Sequence, residues 1–93
     1  MNFEWDENKN QINTLKHFLS FELASEIFND PNLLTIIDNR VDYKEIRKIN
    51  IGSITKDEII VVVVSTDRNK KIRIISARKA NKKEREYYLN NSL

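Results

Sequence analysis

The sequence contains no cysteine, and it has only one glycine and one proline. Without cysteine the chain forms no disulfide, no thiolate nucleophile and no cysteine-ligated zinc site, which is typical of proteins in a reducing compartment. The single glycine excludes a glycine-rich phosphate loop, and no stretch has the composition of a flexible linker. These absences leave a chemistry based on charged and aromatic side chains.

Long hydrophobic runs are also missing. The longest uninterrupted apolar segment covers residues 59–64, whereas a membrane helix needs about 20 apolar residues. The first residues are aromatic and acidic, and they have neither the basic run nor the apolar stretch of an export signal. We therefore expect a cytoplasmic protein that makes no contact with a membrane.

The length and the composition indicate one domain covering residues 1–93. Its net charge of +2 conceals a strong segregation of charge. Residues 68–85 contain nine basic residues and one acidic residue, or +8, while the rest of the chain has seven basic and thirteen acidic residues, or −6. The basic segment is typical of a surface that binds a polyanion, although a solubilising lysine-rich surface has the same composition.

Hydrophobic periodicity predicts an α+β fold. Residues 2–5 can form an edge strand. Residues 6–18 are predicted to be a helix with Ile12, Leu15 and Leu19 at helical spacing, and residues 21–28 have the apolar stripe of a second helix, with Asp6 and Ser20 as N-caps. Extended patterns follow at 33–37, 45–51, 59–64 and 71–77, and Asn81 precedes a C-terminal helix that ends at residue 89. This order predicts a mostly antiparallel sheet of four to five strands, with two N-terminal helices and a C-terminal helix packed on one face.

Three blocks of residues occur in the order expected of a single known family, and together they cover nearly the whole chain. The blocks are Phe3-Glu4-Trp5-Asp6, Lys9, Asn13, Lys16-His17, Ser20-Phe21-Glu22, Ala24 and Phe28-Asn29-Asp30-Pro31; then Asp38-Asn39-Arg40, Glu45, Arg47 and Ile51-Gly52; and finally Ile72-Arg73-Ile74-Ile75-Ser76-Ala77-Arg78-Lys79-Ala80, Glu84 and Tyr88. In these residues the sequence resembles the BrnT family of bacterial type II toxins.

The resemblance implies a small ribonuclease toxin with a fold similar to that of RelE toxins, which inhibits translation by cutting RNA. It also implies neutralisation by a BrnA-like antitoxin, through which operator DNA is bound indirectly. The sequence departs from the family pattern at two positions, because Phe18 replaces a usual glycine and Lys79 replaces a second arginine. We expect Phe18 to lengthen the first helix, and Lys79 lacks the two-pronged geometry with which arginine binds phosphate.

RNA strand cleavage needs a base near the 2′-hydroxyl, cations around the phosphorus, and a proton for the leaving 5′-oxygen. Arg73 lies between Ile72 and Ile74 in a predicted strand, so its side chain leaves the apolar layer and points to the other face of the sheet. Together with the family resemblance, this makes Arg73 and Arg78 candidates for stabilising phosphate charge. The alternative is a structural ion pair, with Glu45 as one candidate partner of Arg73.

Three further side chains are candidates for proton transfer. Glu45 shares a face with Arg47 if their segment is a strand, and it acts either as an acid–base group or as a surface ion-pair partner. His17 is either a proton carrier or a cap at the end of the first helix. The third candidate is Tyr88 on the last helix, which, like its neighbour Tyr87, either stacks on an RNA base or donates a proton, or else belongs to the core or an antitoxin contact. The candidate catalytic residues are Arg73, Arg78, Glu45, His17 and Tyr88.

Six more basic residues are candidate RNA contacts, namely Arg40, Arg47, Lys71, Lys79, Lys82 and Lys83. The chemistry requires no metal ion and no cofactor. The leading hypothesis is therefore a metal-independent endoribonuclease toxin. The rival hypotheses are a non-catalytic module that binds nucleic acid with the same basic surface, and an inactive toxin that acts as a corepressor with its antitoxin.

Overall fold

A computed structural model describes residues 1–39, 44–54 and 59–91, which form a five-stranded sheet and three α-helices. The strands are β1 (Phe3–Glu4), β2 (Leu34–Asp38), β3 (Arg47–Ile54), β4 (Ile59–Arg68) and β5 (Lys71–Lys79), and they lie in the order β1-β5-β4-β3-β2. Strand β1 is parallel to β5, and the other neighbouring pairs are antiparallel. The predicted α+β class and mostly antiparallel sheet are confirmed.

The helices are α1 (Glu7–His17), α2 (Phe21–Ala24), which continues as a 3-10 turn, and α3 (Lys82–Asn91). The predicted N-caps are confirmed, because the side chains of Asp6 and Ser20 accept hydrogen bonds from backbone N–H groups in the first turns of α1 and α2. Asn81 and Glu84 form a reciprocal capping box at the start of α3. No helix in the described part of the chain is long and apolar enough to span a membrane.

The sheet is covered on both faces. On one side, which we call the core face, α1 and α2 cover a cluster that includes Phe21, Val61 and Ile74. On the opposite side, α3 places Tyr88 against Ile51 and other residues of β3 and β4. The expectation that all helices pack on one face is therefore wrong, because alternate residues of the central strands are apolar on both sides and each side needs a cover.

Helix α1 is oriented opposite to the prediction. Its buried side chains are those of Asn10 and Asn13, whereas Ile12 and Leu15 are 63% and 80% exposed. Asn13 donates hydrogen bonds to the carbonyl oxygens of Leu19 and Ala77, at 2.9 and 2.8 Å. These bonds satisfy backbone groups that would otherwise be buried without partners, which outweighs the burial of aliphatic side chains at this position.

Helix α1 also ends earlier than predicted. Phe18 is its C-cap, with φ of 55°, and its N–H donates to the carbonyl oxygen of Thr14. A left-handed backbone costs a residue with a Cβ atom about 1–2 kcal/mol. Phe18 therefore adopts the conformation that glycine normally supplies at this position and does not extend the helix.

Candidate functional site

A row of charged side chains crosses the sheet on the face opposite the core face. Arg47 of β3, Thr66 of β4 and Arg73 of β5 are partners in register, so the two arginines are about 10 Å apart across the intervening strand. The row continues to Asp38 opposite Arg47 on β2, and to Glu4 beside Arg73 on β1. Each of the two arginines thus has a carboxylate residue on the strand next to it.

A β-bulge brings Arg78 to the same face as Arg73. Two residues five positions apart point to opposite faces of a regular strand. Here the register shifts by one residue, since Val64 pairs with Ser76 while the next residue of β4 pairs with Ile74. Arg73 and Arg78 therefore lie on one side, which we call the arginine face and define by Arg47, Arg73 and Arg78.

Carboxylates hold both arginines of β5. Arg73 Nη1 donates to Glu4 Oε2 at 2.8 Å, and the two side chains are about three-quarters buried. Arg78 makes a two-pronged pair with Glu84 of α3, with both N···O distances at 2.7 Å. The hydrogen bond from Arg78 lowers the pKa of Glu84 and outweighs the opposing effect of burial. These pairs fix the direction of both guanidinium groups before any ligand binds.

Glu45 lies just outside the sheet. The prediction that Glu45 shares a strand face with Arg47 required both residues to be in a strand. Strand β3 begins only at Arg47, so this condition is not met. Its Oε1 atom lies 3.9 Å from Nη2 of Arg68, and the carboxylate that pairs with Arg73 is Glu4. Glu45 nevertheless lies near the Arg47 end of the charged row, because it precedes Arg47 by two residues and contacts Arg68, which follows Thr66 by two residues on β4.

Tyr88 has a buried hydroxyl group. The side chain is 6% exposed, and the hydroxyl donates to Asp30 Oδ2 at 2.5 Å. Asp30 also accepts hydrogen bonds from the backbone N–H groups of Asn32 and Ser53. Burial raises the pKa of Asp30. The three hydrogen bonds together lower it by more than burial raises it, so the net shift of the pKa is downward. This geometry joins α3 to the end of the 3-10 turn and to β3.

His17 lies on the far side of β5 from α3. It lines a groove of about 260 Å³ between α1 and the bulged part of β5, together with Lys16 and Ser76. It is the last residue of α1, where a basic side chain interacts favourably with the helix dipole. Within residues 1–39, 44–54 and 59–91, no hydrogen bond or ion pair joins His17 to Arg73 or Arg78.

A second groove lies on the arginine face, and the sequence did not predict it. It has a volume of about 470 Å³ and is lined by Ile36, Ile49 and Ile51 from the sheet and by Lys83, Glu84 and Tyr87 from α3. Tyr87 is 45% exposed, unlike its neighbour Tyr88. Adjacent residues of a helix are rotated by about 100°, so the sequence indicates that Tyr87 and Tyr88 point in different directions. It does not indicate which of the two is buried, because the side of α3 that faces the sheet was not known.

The lysine candidates are exposed but lie on different parts of the surface. Lys71 begins β5, and Lys82 and Lys83 are in the first turn of α3. Lys79 pairs in register with Val61, a residue of the core face, so its position alternates away from that of Arg78. Arg40 lies outside the described residues.

A match to a known protein family covers most of the chain. A family model described as "Ribonuclease toxin, BrnT, of type II toxin-antitoxin system" matches residues 5–84. The chain belongs to the BrnT family. No curated protein matches the sequence. Membership of the BrnT family makes RNA the substrate class and an antitoxin the partner of this chain. The roles of individual residues remain predictions.

Proposed function

We propose that the chain, as one domain over residues 1–93, is a metal-independent endoribonuclease that cuts RNA on the arginine face and thereby inhibits translation. In this proposal a BrnA-like antitoxin neutralises the activity and links the pair to operator DNA. The observation that carries the proposal is the convergence of Arg47, Arg73 and Arg78 on one face of the sheet. A phosphodiester chain is the ligand for which three guanidinium groups on one face are best suited.

The ion pairs support a binding role for the arginines. The bond to Glu4 uses only one of the five N–H donors of Arg73, so the same guanidinium can bind a phosphate oxygen while it keeps its carboxylate partner. Arg78 gives two donors to Glu84, and a phosphate there has to share or replace that carboxylate. Arg73 is therefore assigned the scissile phosphate, and Arg78 the neighbouring phosphate or charge of the transition state.

The cleavage step needs a proton acceptor for the 2′-hydroxyl. Its oxygen then attacks phosphorus, the bond to the 5′-oxygen breaks, and that oxygen takes up a proton. Glu45 is the best acceptor among the candidates, because it lies at the Arg47 end of the charged row. Tyr88 acts in proton transfer only if its hydroxyl leaves Asp30. His17 takes part only if RNA extends past the bulged edge of β5.

The test uses purified protein, labelled single-stranded RNA and chelator, with Arg73→Ala and Arg73→Lys as variants. Loss of one donor to developing phosphate charge costs about 100-fold or more in rate, and we expect lysine to recover only part of it because it lacks the planar fork. Lys79→Ala removes a neighbouring charge from the other side of β5, and we expect less than about a twofold loss. Products ending in a 2′,3′-cyclic phosphate in the presence of chelator support the metal-independent step.

Binding is measured separately with RNA whose 2′-hydroxyls are replaced by hydrogen, so that no cleavage occurs. Removing one phosphate contact reduces the slope of log affinity against log salt by about 0.7 for a single strand, and we expect this for Arg73→Ala. Equal cleavage by wild type and an Arg73→Ala, Arg78→Ala double variant contradicts the proposed site. Tight, salt-dependent binding without cleavage by the wild type favours the rival non-catalytic module.

A further inference from the structure

Among its polar residues, the outward side of α1 carries large apolar side chains, although a helix on the surface of a soluble protein normally buries such residues. Ile12, Leu15 and Phe18 follow one another at intervals of three residues, and they are 63%, 80% and 83% exposed. We call these three residues the α1 strip. Contiguous exposed apolar side chains of this kind mark a contact surface more often than single scattered ones do.

The orientation of α1 is fixed by hydrogen bonds. Asn10 accepts from the N–H of Phe21 at 2.8 Å and donates to Glu22, while Asn13 donates to the carbonyl oxygens of Leu19 and Ala77. Turning the α1 strip inward would break these bonds and leave buried polar groups without partners. The exposure of the strip is therefore specified by the sequence.

Phe18, the last residue of the α1 strip, has an unfavourable backbone conformation as well as an exposed side chain. Its backbone has φ of 55°, and its ring is almost fully exposed. An aromatic residue in the left-handed region is conformationally unfavourable, and Phe18 gains little burial against the described residues to offset the cost. A large ring held rigidly in solvent is typical of an anchor residue in a protein–protein interface.

The two sides of the α1 strip carry opposite charges: Glu7 and Glu22 line the groove beside Leu15, and basic residues lie on the side that faces β5. Lys9, Lys16 and His17 line the groove that Ile12 shares with Ile75 of β5. In an antiparallel symmetric pairing of two copies across this strip, the basic side of one copy would face the basic side of the other, which is repulsive. A partner segment that carries both apolar side chains and carboxylates fits the strip without this repulsion.

We propose that the α1 strip is the docking site of an amphipathic, carboxylate-bearing segment of the antitoxin. This inference rests on the proposed function, because it takes the partner from the toxin–antitoxin pair. The strip is on the side of the sheet opposite α3, so docking there leaves the arginine face accessible to other parts of the antitoxin or to RNA. Binding energy and inhibition of cleavage are thus assigned to separate surfaces.

The experiment measures the affinity of the purified toxin for the protein encoded by the adjacent open reading frame, used as the probe. We expect Leu15→Ser and Phe18→Gly each to weaken binding of the probe about 10- to 100-fold, as loss of an anchor residue does. Lys16→Glu should also weaken binding, and its effect should be larger at low salt than at high salt. Leu89→Ser is the matched control, since Leu89 is exposed on α3 and lies outside the strip. RNA cleavage by each free variant should equal that of the wild type.

Phe18→Gly separates docking from a structural role. Glycine adopts the left-handed backbone without cost, so this variant should melt at a higher temperature than the wild type while it binds the probe more weakly. Unchanged affinity of both strip variants overturns the inference and leaves the ribonuclease proposal standing. If the wild type does not cleave RNA, the proposed function is overturned. If the wild type does not bind the probe, the docking inference is overturned, whatever the cleavage assay shows. Dimerisation of the wild type that Leu15→Ser abolishes assigns the strip to a second copy and also overturns it.

Discussion

Replacing Tyr88 by phenylalanine separates the two roles that its hydroxyl can have. The ring packs against Ile51, Ile60 and Val62, and Tyr88→Phe keeps this packing. The variant removes only the hydroxyl, which donates to Asp30 Oδ2 at 2.5 Å inside the protein. If the hydroxyl is structural, the variant loses stability and keeps its activity once it is folded.

The expected loss of stability follows from the charge of the acceptor. A hydrogen bond to an ionised group contributes about 1.5–3 kcal/mol, and the carboxylate of Asp30 keeps two other donors, from Asn32 and Ser53. We expect Tyr88→Phe to lower the free energy of unfolding at pH 7 by about 2 kcal/mol. For a domain of this size, that corresponds to a fall in melting temperature of roughly 8–16 °C.

The pH dependence gives the same interaction a second signature. The pKa of Asp30 is lowered from 3.8 on folding, although its burial acts in the opposite direction. A lowered pKa means that the folded state binds the proton less tightly than the unfolded state does. The stabilisation is therefore complete above about pH 4 and is lost as the pH falls through the pKa of the folded state. The difference in stability between wild type and Tyr88→Phe should shrink over the same range.

The assay is thermal or urea unfolding at pH 7 and near pH 3.5, together with RNA cleavage at a temperature where both proteins are folded. Tyr87→Phe is the control, because its hydroxyl is on the exposed side of α3, and we expect a change within about 0.5 kcal/mol. A Tyr88→Phe variant that unfolds like the wild type and has lost cleavage refutes the structural role and assigns the hydroxyl to catalysis.

Two further predictions concern stability. Gly52→Ala should destabilise the protein by about 1–3 kcal/mol, because the added Cβ would lie 2.8 Å from Cβ of Ile27 and 3.0 Å from Leu33; a melting temperature equal to that of the wild type would show that the 3-10 turn yields easily. Asn13→Leu should cost about 3 kcal/mol in urea unfolding, since it leaves the carbonyl oxygens of Leu19 and Ala77 without their donor, and a gain in stability would contradict the interpretation of α1.

The elements with strong local signals were predictable from the sequence. Asp6, Ser20 and Asn81 cap the three helices as predicted, because each cap depends only on residues within one turn. The apolar run that begins at Ile59 forms the first part of β4, which is the middle strand of the sheet as expected. The direction of Arg73 was also predictable, since Ile74 is buried in the core cluster and adjacent residues of a strand point to opposite faces.

The interactions that depend on distant residues were not predictable. The pair between Arg73 and Glu4 joins residues 69 positions apart, and nothing local to either residue indicates it. The inward orientation of Asn13 depends on the carbonyl oxygen of Ala77, 64 positions away. Periodicity assigned the apolar residues of α1 to the interior because it counts side chains and does not count the backbone groups that need partners.

The bulge in β5 has a consequence for comparing this chain with its relatives. The interval between Arg73 and Arg78 contains one residue more than a regular strand allows for two side chains on one face. If β5 were regular, the same five-residue interval would send the second guanidinium to the opposite surface while every basic residue stayed in the sequence. The bulge therefore belongs to the functional signature of the protein as much as the arginines do, and a relative that keeps the five-residue interval in a regular strand should be assigned another binding geometry.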